Sequence, residues 1–415
     1  MTNSYKRKVI ILLFGLMLIV SSCRNKKEDI IDDNKQDDGK VVEDNTEDKD
    51  KDEVKEFIKN MTIDEKIGQL MIVGLDGTEI DENIKYMIEK KHIGGFILFK
   101  NNIVNAEQTA ELLNTLKETN NSNPLPLFLS VDEEGGNVYR LPQEFLKMPA
   151  ARKIGDINDE KISLEYGKIL GMRIKSLGFN MDFAPVLDVN SNPNNPVIGN
   201  RAFGFTVDIV ADNGLQAMKG INSENIVSIV KHFPGHGDTA TDSHIKLPVV
   251  DKELKELESL ELIPFAKAIA ENVDGIMVAH ILFPKIDGDN PSTISKAIID
   301  DMLREKLAYD GVVISDDMTM GAIMENYGIE DASVRFLKAG GDIVLVCHGY
   351  DNQIKVIDKI REEVENGGIT EGEIDEKVER IIKLKRKYNI EDNLIDKVDI
   401  EPVNAMTRGL LDEIK

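Results

Sequence analysis

The sequence predicts an α/β fold of the (β/α)8 TIM-barrel type, and three observations support this prediction. Eight short apolar runs occur between residues 69 and 347, and none alternates polar with apolar residues, which is typical of parallel strands buried on both faces. Helical patterns separate the runs, and eight such units in about 330 residues fit a closed barrel. No GxGxxG motif follows the first run and no GxxxxGK[ST] motif occurs, which argues against an open nucleotide-binding sheet.

The predicted strands alternate with segments whose apolar residues recur at helical spacing. The strands are predicted at 69–75, 95–99, 127–132, 181–188, 226–233, 275–281, 311–317 and 342–347. Helices are predicted within 106–119, 253–271, 296–307 and 329–339. Thr62 and Glu65 have the spacing of a capping box, so a helix is expected to begin after Thr62.

The first 23 residues have the pattern of a bacterial export signal. A basic segment at 6–8 precedes an apolar run at 9–20, which is shorter than the roughly 20 residues that a membrane-spanning helix needs. The run ends in Val-Ser-Ser-Cys, which resembles a lipobox. Residues 1–22 are therefore expected to be a lipoprotein signal peptide and Cys23 a lipidated residue, with ordinary cleavage or a retained anchor as the alternatives.

Composition defines three further segments. Of the 30 residues at 24–53, 20 are charged, with a net charge of −6, so residues 23–53 are expected to form a disordered acidic tether. Residues 54–390 should form the barrel and 391–415 a short, largely polar tail.

The whole chain has a formal net charge of −24, which argues against a nucleic-acid partner. Cys347 lies in an apolar run and is expected to be buried.

Active sites of TIM barrels lie at the carboxyl ends of the strands, and polar residues occur at the ends of five predicted strands. They are Asp132, Glu133, Asp188, Lys231, His232, His280, Asp316 and Asp317. A functional site is therefore expected at this end of the barrel.

Segment 231–244 contains three of the six histidines of the chain, in a loop rich in glycine. A transition-metal site needs three or four ligands at compatible spacing, and nothing like HExxH is present, so no metal is expected. Asp242 and His244 are two residues apart, and a carboxylate beside an imidazole favours the protonated ring needed for acid/base chemistry. The alternative is a purely structural loop.

Segment 311–318 delivers two consecutive carboxylates at the end of a predicted strand. Side chains alternate along a strand, so only one of them is expected to point into the barrel mouth. Asp316 is the candidate nucleophile. Asp317 is expected to be structural, as a helix N-cap or bonded to backbone, because Asp commonly caps at such junctions.

Two motifs identify a family resemblance. Residues 302–316 resemble the active-site signature of glycoside hydrolase family 3, in which the nucleophilic Asp corresponds to Asp316. Residues 231–244 resemble the motif of the β-N-acetylhexosaminidase branch, in which the acid/base His and its partner correspond to His244 and Asp242. Segments 61–69, 131–140 and 188–201 also match, and the resemblance covers residues 54–388.

The resemblance also implies which residues hold the terminal sugar: Asp132, Arg140, Arg201, Lys231 and His232. Each has an alternative role, because the arginines could form weak surface ion pairs, Asp132 and Lys231 could pair only with each other, and His232 could be a core histidine. His236 is expected to be structural and His280 to lie near the sugar. No cofactor is implied.

The expected reaction is exo-acting, retaining hydrolysis of terminal N-acetylglucosamine-type residues through a covalent glycosyl-enzyme on Asp316, with His244 as acid/base. Export and acetamido-sugar chemistry together point to peptidoglycan fragments as substrates. The enzyme is expected to be a monomer, lipid-anchored at the extracellular face of the cytoplasmic membrane. The alternatives are a β-N-acetylglucosaminide phosphorylase, a β-glucosidase and a non-catalytic sugar-binding lipoprotein.

Overall fold

The computed structural model describes residues 46–415, with side chains from residue 52 onward. Residues Asp48–Lys415 form one compact unit. The predicted signal peptide, Cys23 and most of the predicted tether lie outside the described residues. Within them, no helix is both long enough and apolar enough to cross a membrane.

Eight parallel strands form the predicted barrel, in the order β7-β6-β5-β4-β3-β2-β1-β8. They are β1 (Met71–Gly74), β2 (Gly95–Leu98), β3 (Phe128–Val131), β4 (Met181–Asp182), β5 (Val227–Phe233), β6 (Gly275–Val278), β7 (Val312–Ser315) and β8 (Val344–Val346). A parallel bridge between Ile314 and Ile343 joins β7 to the start of β8 and closes the barrel. Every strand lies within one of the eight predicted runs, and every strand residue is buried, which is why the runs lack alternation.

Helices cover the outside of the barrel. They are α1 (Thr46–Asn60), α2 (Ile63–Gln69), α3 (Glu82–Glu89), α4 (Ala106–Thr119), α5 (Ala151–Ile157), α6 (Glu160–Lys175), α7 (Val207–Ser223), α8 (Leu254–Ser259), α9 (Leu262–Ala270), α10 (Gly321–Met324), α11 (Ile329–Lys338), α12 (Tyr350–Glu365), α13 (Glu371–Lys387) and α14 (Glu401–Glu413). A π-helix spans Ala297–Lys306, and 3-10 turns span Lys100–Asn102, Asn120–Ser122, Gly199–Arg201 and Ser292–Ile294.

The predicted helices are present, with two differences in form. The segment predicted as one helix at 253–271 forms α8 and α9, and the segment at 296–307 forms the π-helix. The capping box before α2 is confirmed. The Glu65 N–H donates to Thr62 Oγ1 over 3.3 Å, and the Thr62 N–H donates to Glu65 Oε2 over 2.7 Å.

The predicted tether is wrong over its last eight residues, because α1 already begins at Thr46. Val54 and Ile58 are buried one helical turn apart and anchor this helix to the barrel. Its charged residues, which suggested an extended chain, are compatible with a helix whose opposite face is in solvent.

Residues 391–415, predicted only as a largely polar tail, contain α14. The buried side chains of Val403, Leu410 and Ile414 recur at helical spacing on one face. The Asn404 side chain accepts from the Leu146 N–H and donates to the Glu144 carbonyl oxygen, each over 2.8 Å. The helix is therefore packed against the segment that follows β3.

The amino ends of the strands form one end of the barrel, which we call the floor. Lys385 of α13 is buried there, and its Nζ donates to Gln69 Oε1 (2.7 Å) and to the carbonyl oxygens of Gly94 (3.2 Å) and Pro126 (2.6 Å). These three acceptors precede β1, β2 and β3. Lys385 therefore ties α13 to the amino ends of three strands.

A carboxylate provides a second tie in the floor. Asp342, just before β8, is fully buried and accepts from Arg304 Nη2 over 2.5 Å and from Arg380 Nη1 over 2.9 Å. Its Oδ2 also accepts from the Val313 N–H over 2.8 Å. The π-helix, α13, β7 and β8 are thus joined at one side chain.

Candidate active site

The carboxyl ends of the strands form the opposite end, which we call the mouth, and they surround a cavity of about 280 Å³. Seven of the predicted site residues line it: Asp132, Arg140, Arg201, Lys231, His232, His244 and Asp316. Asp242, the eighth, does not line the cavity wall. The residues come from β3, the loop after β4, β5 with its following loop, and β7, so the barrel assembles positions far apart in sequence.

Lys231, at the end of β5, is the centre of a buried charge network. Its Nζ lies 2.6 Å from Asp132 Oδ1 and 2.7 Å from Glu134 Oε1, and the residue is 2% exposed. Burial alone would lower the pKa of Lys231, but the two carboxylates raise it above its usual value. Lys231 is therefore a fixed cation in the wall of the mouth.

Arg201 completes the network with a bidentate contact. Its Nε donates to Glu134 Oε2 over 2.8 Å and its Nη2 donates to Glu134 Oε1 over 2.7 Å. Burial opposes ionisation of Glu134, but Arg201 and Lys231 hold the pKa of this carboxyl well below its usual range. Arg201 is thus not a weak surface pair, since its partner is 5% exposed.

Glu134 is a site residue that the sequence analysis missed. It lies two positions after Asp132, in a segment that also contains Glu133, and the sequence does not show which of these carboxylates points to the mouth. The structure turns Glu133 away, to a buried pair with Arg173 in which the closest atoms are 3.0 Å apart. Arg140 completes the group, with its Nη2 3.4 Å from Asp132 Oδ2.

His232 is held from both ring nitrogens. Its Nδ1 lies 2.7 Å from Asp188 Oδ2, and its Nε2 lies 3.3 Å from Arg201 Nη2. A guanidinium can only donate, so Nε2 accepts and Nδ1 carries the proton donated to Asp188. His232 lines the cavity, which makes it more than a core histidine.

Asp188, which was noted at a strand end but given no role, organises this part of the mouth. It is fully buried and also accepts from the backbone N–H of His236 over 2.6 Å. Burial alone would raise the pKa of Asp188, but the neighbouring His232 and their hydrogen bond lower it below its usual value. Asp188 is the positioning residue for His232.

Asp316 follows β7 directly and is fixed through its backbone. Its N–H donates to the Val278 carbonyl oxygen over 3.0 Å, and its Oδ1 accepts from the Asp317 N–H over 2.8 Å. Burial would raise the pKa of Asp316, but His280 and His232 lower it below its usual value. An ionised carboxylate in the cavity wall can act as a nucleophile.

Asp317 has a structural role, although it is not the predicted helix N-cap. Its Oδ1 accepts from the N–H groups of Thr319 (2.9 Å) and Cys347 (3.0 Å), which fixes the turn after β7 to the end of β8. The next helix, α10, begins only at Gly321. The turn between Asp317 and α10 leaves Asp317 too far from the first helical N–H groups to cap them.

His280, expected to lie near the sugar, does not line the cavity. It is fully buried, with its Nδ1 2.6 Å from Thr293 Oγ1 and its Nε2 3.0 Å from the Asp317 carbonyl oxygen. The Nε2–H group can donate to that carbonyl. His280 therefore holds the turn that carries Asp316, from a position outside the cavity wall.

His244 lies on the loop after β5, where it is exposed and lines the cavity. Asp242 Oδ1 accepts from the His244 backbone N–H over 2.9 Å. Across residues 46–415 no hydrogen bond or ion pair joins the Asp242 carboxylate to the His244 ring, so the predicted pairing is absent from this conformation. A carboxylate two residues before an N–H readily closes such a turn, which competes with the ring for the same oxygen.

His236 anchors the same loop. Its Nδ1 lies 2.8 Å from Thr239 Oγ1 and its Nε2 lies 3.2 Å from Ser243 Oγ. Burial and the nearby His232 lower the pKa of His236 to about 4, so the ring is neutral near pH 7.

The described residues contain no group of three or more His, Cys, Asp or Glu arranged to hold a metal ion.

Comparison with known proteins places this geometry in a family. β-Hexosaminidase A of Pseudoalteromonas piscicida is 34% identical over 338 residues, which are 75% of this chain and 56% of that protein. β-Hexosaminidase of Nitrosomonas eutropha is 33% identical over 302 residues, 71% of this chain and 85% of that protein. The chain thus spans just over half the length of the first relative and most of the second.

Structural comparison gives the same result. A glycoside hydrolase family 3 β-N-acetylglucosaminidase from Paenibacillus sp. superposes with a TM-score of 0.80 at 37% identity, covering 84% of this chain and 68% of that one. Residues 62–384 match the family model described as the glycosyl hydrolase family 3 N terminal domain. Since that match includes all eight strands and the whole mouth, the chain belongs to glycosyl hydrolase family 3.

Proposed function

We propose that this protein is an exo-acting, retaining β-N-acetylhexosaminidase that removes terminal N-acetylglucosamine-type residues. The observation that carries the proposal is that an ionised carboxylate, Asp316, and an exposed imidazole, His244, line one cavity with a network of charged hydrogen-bonding groups. The relatives named β-hexosaminidase and β-N-acetylglucosaminidase support the choice of sugar.

The lining of the cavity suits one sugar residue. A volume of about 280 Å³ lies at the lower limit of ordinary ligand pockets, which favours a single terminal residue over an extended chain. Lys231, Arg140 and Arg201 can donate to sugar hydroxyl or amide oxygens, and Asp132 can accept from hydroxyls. Charge-assisted hydrogen bonds of this kind are short and directional, so they can fix the ring relative to Asp316.

The proposed reaction has two steps. Asp316 attacks the anomeric carbon as the bond to the leaving oxygen breaks, and protonated His244 gives that oxygen its proton. Neutral His244 then accepts a proton from the water that attacks the glycosyl-enzyme, and Asp316 is released as a carboxylate.

The charges of the mouth favour water over phosphate as the second substrate. Its cations are Lys231, Arg140 and Arg201. Its carboxylates, including those directly behind the wall, are Asp132, Glu134, Asp188 and Asp317, because Asp316 is an uncharged ester when the second substrate enters. All three cations lie within 3.4 Å of a carboxylate oxygen. A phosphate dianion would meet excess negative charge here, which supports a hydrolase rather than a phosphorylase.

The leader-like amino terminus supports a further proposal about the source of the substrate and the location of the protein. We propose that Cys23 carries a lipid anchor and that the barrel acts on peptidoglycan fragments at the extracellular face of the cytoplasmic membrane. Mass spectrometry of the mature protein tests the anchor. An unmodified Cys23 would refute it, while leaving the proposed chemistry unaffected.

The test of the activity uses p-nitrophenyl β-N-acetylglucosaminide. Wild-type protein should release p-nitrophenol faster than Asp316→Asn, and the rate should not increase with added phosphate. A 5-fluoro derivative of the sugar should accumulate as a covalent adduct on the peptide that contains Asp316. Equal rates for the wild type and Asp316→Asn, or a sugar phosphate as product, would refute the proposal.

A further inference from the structure

The loop that carries His244 rests on the first turn of α10. The Gly321 N–H donates to the His244 carbonyl oxygen and the Ala322 N–H donates to the Ser243 carbonyl oxygen, each over 3.3 Å. α10 comes after β7, the strand that Asp316 directly follows. Two backbone hydrogen bonds therefore join the segment of the proposed acid/base to the segment of the proposed nucleophile.

The close approach depends on the absence of a side chain at Gly321. A Cβ at this position would lie 2.8 Å from the His244 carbonyl oxygen and 2.9 Å from the Ile245 carbonyl oxygen. Both are backbone atoms, so neither can rotate away. Gly321 does not have a positive φ, so an alanine could adopt its backbone conformation and the only obstacle is space.

Both sides of this contact are anchored elsewhere. Ser243 is 2% exposed, and its Oγ lies 3.2 Å from His236 Nε2. On the other side, Asp317 fixes the turn before α10 through the N–H groups of Thr319 and Cys347. The loop cannot move away from a new methyl group without disturbing one of these anchors.

The His244 ring has no hydrogen bond of its own to any described residue, so its place in the cavity wall is set by its backbone. We propose that Gly321 is a positioning residue for the acid/base: by allowing the loop to lie against α10, it places the His244 ring where it can protonate the leaving group. This inference rests on the proposed function, because it takes His244 as the proton donor.

Leaving-group chemistry separates this role from a merely structural one. A 2,4-dinitrophenolate departs without protonation, and kcat/KM covers only the steps up to the glycosyl-enzyme. The kcat/KM of a dinitrophenyl glycoside therefore reports sugar binding and Asp316 but not the acid. A sugar alcohol departs only with a proton, so cleavage of a β-1,4-linked N-acetylglucosamine disaccharide requires His244 in place. A misplaced acid should therefore affect only the disaccharide.

The experiment compares kcat/KM of full-length wild type, Gly321→Ala, His244→Ala and Gly409→Ala on both substrates. Gly409 is the matched control, because a Cβ there meets no atom within 4 Å. Gly321→Ala should lower kcat/KM on the disaccharide by about 10- to 100-fold, the range expected when a reacting group moves by a fraction of an ångström to 1 Å. It should change the dinitrophenyl rate less than about 3-fold, and Gly409→Ala should match wild type on both.

Three further results decide the inference. In the double variant Gly321→Ala/His244→Ala, the disaccharide rate should equal that of His244→Ala alone, because both changes remove the same contribution. Equal losses on both substrates, or no loss on either, would overturn the positioning role. If wild type hydrolyses neither substrate, the proposed function fails instead.

A second variant guards against a failure of Gly321→Ala to fold. Ala322→Pro replaces the N–H that donates to the Ser243 carbonyl oxygen by a ring carbon, so it breaks the contact with the loop without a change at Gly321. Proline is tolerated in the first turn of a helix. It should show the same selective loss on the disaccharide. An equal loss on both substrates would again contradict the inference.

Discussion

The mouth and the floor of the barrel each bury a lysine, and the two lysines differ in what surrounds them. Lys231 in the mouth contacts two carboxylates, which raise its pKa. Lys385 in the floor contacts only neutral oxygens, and burial lowers its pKa to about 7. Permanent charge on a buried lysine thus depends on a partner of opposite charge, and in the mouth that charge lies beside the cavity lined by Asp316 and His244.

The carboxylates show a second difference. Glu134 and Asp342 are both buried between two cationic side chains. Asp342 also accepts from a backbone N–H, and Arg304 donates to the carbonyl oxygens of Tyr309 and Gly311, so the floor uses its charges to join strands and helices. In the mouth, Lys231 and Arg201 face the cavity. Paired buried charges thus join strands and helices at the floor, and in the mouth they form part of the cavity wall.

The largest effect that separates the ends is on catalysis. Asp316→Asn should lower kcat by about 10⁴-fold or more, since removal of a nucleophile eliminates the covalent route. Its thermal stability should change little, because Asn keeps the size of the side chain and can still accept from the Asp317 N–H. Steady-state kinetics and thermal unfolding measure both. A large loss of stability would mean that Asp316 belongs to the framework of the fold.

Glu134→Gln and Asp342→Asn form a matched pair at the two ends. Each leaves buried cations without their carboxylate and should lower the free energy of unfolding by about 3–5 kcal/mol. Only Glu134→Gln should also raise KM for the p-nitrophenyl substrate, because it releases Lys231 and Arg201 from the cavity wall. Urea unfolding measures the free energy of unfolding, and steady-state kinetics at urea concentrations below the unfolding transition measure KM. A raised KM in both variants would remove the distinction.

Lys385→Met should destabilise the protein by about 3 kcal/mol at pH 7, since three buried acceptors lose their donor. The difference from wild type should grow between pH 7 and 10.5. In that window the unfolded chain holds the lysine proton and the folded protein has released it, so wild-type stability rises with pH. The kcat/KM of the folded variant should be unchanged. A constant difference across this window would show that Lys385 stays charged.

The smallest effect is at acid pH and belongs to the mouth. His236 has a pKa of about 4 when folded, against about 6.5 for an unperturbed imidazole, so the unfolded chain binds more protons between these values. The stability from the neutral ring is complete above pH 6.5 and should fall by about 2 kcal/mol by pH 5. His236→Gln should flatten this dependence. If the free energy of unfolding depended on pH equally in wild type and His236→Gln, the dependence could not be assigned to His236.

Much of the barrel could be predicted because its strands are buried on both faces, which leaves an unmistakable apolar run in the sequence. Strand ends likewise indicated Asp132, Lys231 and Asp316. The direction of individual side chains could not be predicted: Glu133 and Glu134 are adjacent, yet one binds Arg173 in the core and the other binds Arg201 in the mouth.

Two kinds of feature were missed for physical reasons. Helix α1 has few buried residues among many charged ones, and two of the four buried residues of α14 are polar, so composition hid the buried faces of both helices. The pairing of Asp242 with the His244 ring was inferred from spacing, but at that spacing the backbone N–H competes for the same carboxylate. Local turn geometry decided the outcome, and it is not visible in the pattern of residue types.

The bridge between Ile314 and Ile343 has a consequence for how activity returns during refolding. It closes the barrel late along the chain, and until β7 docks, the carboxylate of Asp316 is not opposite the groups on β3 and β5. The ring also requires β1 to pair with β8, where Ile72 lies opposite Leu345, and contacts between segments this distant in sequence form slowly compared with local helices. During refolding, helical circular dichroism should therefore recover before enzymatic turnover does. The return of turnover then reports when the barrel closes.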